Sequence, residues 1–324
     1  MKAITYERFG GPEVLRYEDL PMPEPSNGEV VVRVLAAAVN PLDWHMLRGK
    51  PRMIRLSPDV RGKKPMRPGR DLSGIIERVG EDSGAFRVGD RVFGAAQGAF
   101  AEYVCAPETA FAPMPDALSF EDAAATPIGG LTALQALRDS GRLRPGQHIL
   151  VNGAAGGVGT FAVQIAREMG AQVTAVCSAS SAALVRQIGA DEIIDYQRDD
   201  FTRAAKKYDL IVDLIGNHSY RRLKQALTAD GRVVAVGGGA GGAYSLGRWM
   251  VRTMGAVAAS RLTRRKVMLC MSRLDLEDLA ALAEMIASGR VKPVIDRRFP
   301  LAQVADAMRY LAAGHAHGKV ILAG

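Results

Sequence analysis

Two kinds of hydrophobic pattern divide the chain of 324 residues. Over the first hundred or so residues, short apolar runs alternate with Gly, Pro and Asp: Glu29 to Ala36 (EVVVRVLA), Gly74 to Val79 (GIIERV) and Arg91 to Gly94. Runs of that length between turn residues predict a small, β-rich, barrel-like domain. From about Phe120 the pattern changes. The stretch 121–143, EDAAATPIGGLTALQALRDSGRL, reads as helical, with Glu121 and Asp122 in a first turn where acids suit the helix dipole. Strands are then predicted at His148 to Val151, Val173 to Cys177, Glu192 to Asp195, Leu210 to Leu214 and Arg232 to Val236, alternating with helices. This alternation implies a parallel, doubly wound α/β sheet. A helix at about Leu276 to Ser288, an extended segment at 289–301, a helix at Gln303 to Ala313 and a strand at Gly318 to Ala323 follow. The last segment is expected to return to the first domain, so that the second is inserted within it.

The most specific local signal lies at residues 151–178, VNGAAGGVGTFAVQIAREMGAQVTAVCS. It reads as a strand, a glycine-rich turn, an amphipathic helix opening at about Gly157, and a second strand. Gly153, Gly156, Gly157 and Gly159 crowd the turn. Lacking Cβ, they let the backbone turn sharply and let a diphosphate approach its N–H groups, with the positive end of the helix dipole behind them. Phe161, Val163, Ile165, Ala166 and Met169 give the helix a broad apolar face. The unit predicts dinucleotide binding; small-residue turns made for packing alone are the competing reading.

The end of the second strand bears on which dinucleotide. NAD sites commonly place an acid there for the ribose 2′-hydroxyl. Here the sequence is Cys177-Ser178-Ala179-Ser180-Ser181, with no acid until Asp191 and no base nearer than Arg186. Hydroxyls donate to a 2′-phosphate that a carboxylate would repel, so NADPH is expected over NADH.

Composition narrows the setting. A hydrophobic content of 48% supports a full core. No apolar run is long enough to span a bilayer, the first residues lack a secretory h-region, and Cys105, Cys177 and Cys270 are isolated and odd in number. A cytoplasmic protein without a disulfide framework is expected. The net charge of +8 comes from 42 basic and 34 acidic residues and is concentrated at Arg48 to Arg70 and Arg261 to Lys266. Neither segment interleaves aromatic residues with its charges, which argues against nucleic acid and for solvated loops.

Several landmarks together resemble the medium-chain dehydrogenase/reductase superfamily in its zinc-free quinone oxidoreductase (zeta-crystallin-like and reticulon-interacting oxidoreductase) branch. They are GEVVVRVLAAAVNPLDWHMLRG (28–49), PGRDLSGIIERVG (68–80), VGDRVFG (88–94), AEYV (101–104), TPIGGLTALQAL (126–137), GAAGGVGTFAVQIA (153–166), LVRQIGADEIIDY (184–196), YDLIVDLIG (208–216), GRVVAVGG (231–238), SGRVKPVI (288–295) and GHAHGKVIL (314–322). The resemblance implies a GroES-like domain from residues 1–122 and 290–324, with a Rossmann NADP(H)-binding domain at 123–289. It also implies cofactor contacts at Asn40, Thr126, Gly153, Ala155, Gly156, Gly157, Val158, Ser178, Ser181, Tyr196, Gly237, Gly238 and Met271, and in the terminal loop at His315, Ala316, His317 and Lys319. His317 stands where a basic Arg is common.

Zinc-dependent members of this superfamily place a cysteine at the position of Asn40 and a His-Glu pair at Arg70-Asp71. Neither position supplies a cysteine or histidine here, and Arg70 adds a repelling cation. The lobe of closely spaced cysteines that holds a structural zinc is absent from the sequence as well. His315 and His317 lack a third ligand beside them. A metal-free hydride transfer is therefore expected, to a quinone or an α,β-unsaturated carbonyl whose conjugation spreads the incoming charge. Asn40 is the expected donor to the acceptor oxygen, with Asp43 and Trp44 lining the nicotinamide pocket; Asn-Pro as a turn and Asp43 as a helix cap form the structural alternative. Tyr103 reads as a core residue on a strand. Met46 to Met66 is expected to edge the acceptor site. Reduction of a 2-enoyl thioester and a low-turnover NADPH-binding regulatory role remain open. The family also implies a homodimer, with Val233 to Val236 and Val267 to Met271 near the twofold axis.

Overall fold

The computed structural model describes residues 1–56, 62, 65–237, 246–314 and 316–323. In chain order its strands are β1 (Lys2–Thr5), β2 (Arg16–Asp19), β3 (Glu29–Val39), β4 (Asp71–Val79), β5 (Arg91–Ala95), β6 (Tyr103–Pro107), β7 (Phe111–Pro113), β8 (His148–Asn152), β9 (Gln172–Cys177), β10 (Glu192–Asp195), β11 (Tyr208–Asp213), β12 (Leu227–Ala235), β13 (Lys266–Leu269), β14 (Ile295–Phe299) and β15 (Lys319–Ala323). The helices are α1 (Pro41–Arg48), α2 (Phe120–Ala125), α3 (Pro127–Gln135), α4 (Gly157–Glu168), α5 (Ala182–Gln187), α6 (Tyr220–Gln225), α7 (Leu246–Ser260), α8 (Leu276–Ala287) and α9 (Val304–Ala312).

Two compact units emerge. The first comprises Met1–Ile128, Leu274–Gly289 and Pro293–Gly324; the second comprises Gly129–Arg273 and Arg290–Lys292. The second unit is thus inserted in the first, as the pattern predicts. The boundaries differ from the sequence reading at two places. Residues 123–128 and the helix α8 belong to the first unit, where α8 packs against β7. Amphipathic periodicity identifies α8 as a helix but carries no information about which sheet its apolar face covers.

The first unit is built on a seven-stranded sheet in the order β14-β15-β3-β4-β5-β7, with β6 also paired to β3. The long strand β3 serves three partners. Its Glu29–Arg33 half pairs with β6, its Ala36–Val39 half pairs with β15, and β4 runs along both. Register shifts at Val31/Val32 and Val34/Ala36 bend it between these halves. Valines fill the first half and alanines the second. The alanines leave room for α2, whose Ala124 and Ala125 pack on Ala36, Ala38 and Ile321.

The second unit is a six-stranded parallel sheet in the order β10-β9-β8-β11-β12-β13. Chain order reverses between β8 and β11, which makes the carboxyl ends of those two strands the switch point of the sheet. On α4, the predicted residues Phe161, Val163, Ile165 and Ala166 are fully buried, each of the larger ones contributing about 1.5–3 kcal/mol. Met169 lies just past the helix end and is half-buried. The predicted continuous helix at 121–143 is instead broken at Thr126-Pro127 into α2 and α3, because the proline cannot donate to the preceding turn.

Candidate active site

In the second unit the glycine turn leaves β8 at Asn152. Gly153 has φ +94°, a conformation that side chains rarely adopt, and a Cβ there would also meet Ile215 Cδ1 at 2.8 Å. A Cβ on Gly159 would lie 2.2 Å from Gly153 O, so this glycine lets α4 press against its own turn. Gly156 is different. Its φ of −79° suits any residue, and a Cβ on it would meet only Gly153 O, at 3.6 Å. Packing within the protein does not require a glycine there. A ligand that must reach the backbone at the start of α4 does, and no side chain caps that helix end among the described residues. The turn therefore fits a diphosphate. Ala155, Gly157 and Val158 are half-buried around it.

At the end of β9, Ser178 Oγ lies 2.9 Å from Ser180 Oγ and 3.0 Å from Ser181 Oγ, forming a cluster of hydroxyls. Tyr196 N donates to Cys177 O at 3.2 Å, which brings Tyr196, itself 54% exposed, beside this cluster. One neighbour went unread in the sequence. Asp195 pairs with Cys177 across β10 and β9, so an acid does reach this corner, from the next strand. Its Oδ1 accepts from Gln197 N at 3.1 Å.

Between the switch-point strands, Asn152 Nδ2 donates to Asp213 Oδ1 at 2.8 Å and to Asn217 Oδ1 at 3.0 Å. Asp213 Oδ1 also accepts the Gly216 and Ile215 amides, at 2.9 and 3.3 Å. Its Oδ2 is buried without a partner among the described residues, and burial pushes this carboxyl up from the ordinary range. Gly237 follows β12 and is half-buried, whereas Met271 is exposed. Gly238 and His315 lie outside the described residues.

In the first unit, the end of β3 and the starts of β4 and β15 converge. Ala38 pairs with Asp71 and Val39 with Val320, so Asn40, Asp71 and Lys319 meet at one end of neighbouring strands. Lys319 Nζ donates to Asn40 Oδ1 at 2.6 Å and to Asp71 Oδ2 at 3.2 Å. Asn40 Nδ2 donates to Asp71 Oδ2 at 3.0 Å and to Ala38 O at 3.2 Å. The Ile128 amide donates to both Asp71 oxygens, at 3.1 and 3.3 Å. Asp71 has no exposed surface, and Asn40 and Lys319 retain 3% each. Burial pushes the Asp71 carboxyl up, and Lys319, Asn40 and the Ile128 amide oppose that shift.

This network corrects one expectation about Asn40. Its amide has two N–H groups, and both are spent, on Ala38 and Asp71; the ammonium fixes the flip by requiring Oδ1 on its own side. Asn40 has no donor left for an acceptor oxygen. Lys319, which the resemblance places among the cofactor contacts of the terminal loop, has its ammonium held inside the first unit. Asp43, in the first turn of α1, accepts from Asn40 N at 2.8 Å across the helix start, the helix-capping alternative. Burial raises its carboxyl to about 7, helped by Asp71 and opposed by the Asn40 amide, Arg70 and Lys319. Trp44 is half-buried with the Arg48 guanidinium 5.4 Å from its ring centre. The neighbouring His45, unremarked in the sequence, is pushed down by burial and by Arg48, towards the neutral imidazole.

Thr126 is fully buried, and its hydroxyl donates to Asp122 O at 2.7 Å. In the terminal loop, His317 N donates to Asp296 Oδ2 at 2.9 Å, the oxygen that also accepts from Tyr310 at 2.6 Å, and Ala316 packs partly on the core. Tyr103 lies half-buried on β6, as a strand residue.

The donor set around Asn40 does not fit a tetrahedral zinc. It offers one carboxylate and one amide, with an ammonium bonded to both, and no group of three or more His, Cys, Asp or Glu side chains is arranged for a metal among the described residues. No helix among them is long and apolar enough to cross a membrane.

Comparison with known proteins agrees with this architecture. Residues 26–116 match the model of the alcohol dehydrogenase GroES-like domain, and residues 188–322 match a model described as zinc-binding dehydrogenase. The chloroplastic quinone-oxidoreductase QR1 of Triphysaria versicolor is 32% identical over 340 residues, covering 99% of this chain and 98% of the relative. The structure of the quinone oxidoreductase from Coxiella burnetii superposes with a TM-score of 0.88 at 29% identity, covering 100% of this chain and 99% of that one. The Escherichia coli quinone oxidoreductase complexed with NADPH gives a TM-score of 0.83 at 26% identity, with both chains covered in full (100%). The chain therefore belongs to the quinone oxidoreductase branch of the medium-chain dehydrogenase/reductase superfamily and is an oxidoreductase.

Proposed function

We propose that this protein transfers a hydride from NADPH to a quinone or another α,β-unsaturated carbonyl, without zinc. The observation that carries the reading is Gly156, a glycine at the head of α4 that internal packing does not demand and a diphosphate would. The names of the relatives, and the NADPH in the E. coli structure, support the same reaction class. Bound at the turn, the cofactor supplies the hydride. The chain's part is to hold the diphosphate at Gly156 to Val158, receive the ribose and its 2′-phosphate at Ser178, Ser181 and Tyr196, and orient the acceptor. A conjugated acceptor spreads the charge it gains, which suits a site whose donor set does not fit a metal.

The preference for NADPH rests on the hydroxyl cluster, and Asp195 is its internal competitor. Ser178→Asp is expected to weaken NADPH about tenfold or more while leaving NADH within about threefold, as one added carboxylate opposing a phosphate implies. Equal loss for both cofactors, by fluorescence titration, would remove Ser178 from the 2′-phosphate site. Turnover is tested by following NADPH oxidation with 9,10-phenanthrenequinone, simple enones and a 2-enoyl thioester. NADPH binding with no acceptor reduced would leave a binding or regulatory protein instead. Elemental analysis showing stoichiometric zinc in active protein would overturn the metal-free reading. The edge of β13, unpaired among the described residues, supports a homodimer, which sedimentation equilibrium tests. Three free cysteines suit a cytoplasmic setting.

A further inference from the structure

We propose that α7 docks on the surface of an anionic lipid membrane, with its outer apolar stripe at the boundary of headgroups and acyl chains and its arginines on the lipid charges. The inference concerns the second unit alone and goes beyond the reaction proposed above.

The helix is apolar on two opposite faces. The inner one is pinned. Trp249, Thr253 and Ser260 are buried, and α7 packs on β13. Thr253 Oγ1 donates to Trp249 O at 2.8 Å and bonds the Tyr220 hydroxyl at 2.7 Å, and Ser260 Oγ accepts from Val267 N at 3.1 Å. These bonds keep the helix from rolling its other side inward. That other side carries Val251, Met254, Gly255 and Ala258, and Leu262 extends the line just past the helix end. Their three- and four-residue spacing puts them on one stripe. Val251 is 74% exposed, Met254 61% and Leu262 94%, and a Cβ on Gly255 would meet nothing within 4 Å. Apolar side chains scattered singly over a surface need no partner, but a stripe of them along one helix marks a contact.

Charge says what covers it. The sequence has no acid between Asp230 and Asp275, and within that stretch stand Arg248, Arg252, Arg261, Arg264, Arg265 and Lys266. By helical position, Arg248 and Arg252 flank the stripe on one side and Arg261 flanks it on the other. Arg264 is paired with Asp230 at 2.7 Å, whereas Arg252 and Arg265 donate to the Gly216 and Thr228 carbonyls, which leave their charges uncompensated. An apolar stripe between basic residues matches a membrane interface. Anionic headgroups meet the arginines there, and the acyl boundary receives Val251, Met254 and Leu262. A second copy facing this surface would set arginines against arginines. A nucleic acid would answer the charges but leave the stripe in water. No described helix is long and apolar enough to cross a bilayer, so α7 lies along the surface rather than through it.

The test is flotation of the full chain with vesicles of phosphatidylcholine alone and of an equal mixture with phosphatidylglycerol. Wild type is expected to partition into the anionic vesicles about tenfold or more above the neutral ones, and less as salt rises. Met254→Ser with Leu262→Ser, and separately Arg261→Gln with Arg264→Gln, should each lose about tenfold on the anionic vesicles. Circular dichroism and NADPH binding should match wild type in both, because all four side chains are exposed. Leu262→Ser alone, past the helix end, serves should the apolar pair unfold, with a smaller loss in the same direction. Wild type that ignores both vesicles, or takes the neutral ones as readily, overturns the proposal. So does either pair of substitutions that leaves flotation at the wild-type level. If sedimentation equilibrium finds wild type dimeric and the Met254→Ser, Leu262→Ser chain monomeric, the face belongs to a second copy and the proposal is overturned as well.

Discussion

Two buried Asn–Asp pairs stand at strand ends, one in each unit, and they are solved differently. In the first unit, Asn40 and Asp71 share a cation, and both Asp71 oxygens accept hydrogen bonds. In the second, Asn152 and Asp213 have no bonded cation among the described residues, and one Asp213 oxygen has no partner. Burial pushes both carboxyls up; Lys319, Asn40 and the Ile128 amide oppose that shift at Asp71, and the Gly216 and Ile215 amides, Asn152 and His218 oppose it at Asp213. The same residue pair thus makes a charged brace in one place and a carboxyl with unused capacity in the other. The first depends on its neighbours being kept; the second tolerates change.

The largest effect is expected from removing the cation. Lys319→Met should lower unfolding stability by about 3–5 kcal/mol, because Asp71 is left charged and buried, and Lys319→Met with Asp71→Asn should recover more than half of it. Denaturant titration measures both, and a stable single variant would mean that Asp71 is already neutral.

The glycine turn gives the next contrast. Gly159→Ala forces a Cβ against Gly153 O and is expected to cost about 1–3 kcal/mol, whereas Gly156→Ala should leave stability nearly unchanged and weaken NADPH binding instead. If Gly156→Ala binds NADPH like wild type, the diphosphate lies elsewhere.

The pH dependence has a fixed sign. Burial raises the Asp43 carboxyl to about 7 in the folded protein against an ordinary value of 3.8 in the unfolded chain, so between these values the folded state holds a proton that the unfolded state has lost. Its contribution is fully present below about pH 4 and is lost as pH rises through about 7. Asp71 and Asp213 shift in the same direction. Asp43→Asn retains an acceptor for the Asn40 amide and should flatten part of this slope, read as unfolding midpoints between pH 4 and 8. An unchanged slope would assign it to the other two carboxyls.

The smallest effect is expected at Asp213→Asn. Its Oδ1 bonds can be retained by an amide oxygen, so a change within about 1 kcal/mol follows. A loss as large as that from breaking the Asp71 pair would erase the contrast between the two sites.

Much of the fold was legible because it depends on local repetition. The strands from His148 to Asp213 show as buried apolar runs, α4 shows as a 3.6-residue period after a glycine turn, and the Ser178 corner follows directly from β9. Asp195 was missed because parallel pairing, not sequence proximity, sets it against Cys177. The unit carrying α8 was misread for a similar reason, since an apolar face does not name its partner.

The sequence by itself determined the dinucleotide turn, the inserted arrangement of the units and the family, since each is written in contiguous residues or in the order of motifs. Only the tertiary structure decided what Asn40 and Lys319 do. They lie 279 positions apart, and the register of β15 on β3 and of β3 on β4 alone brings their side chains to one carboxylate. A hydrogen bond depends on distances of a few tenths of an ångström, and no residue's identity specifies which distant partner will consume its donors.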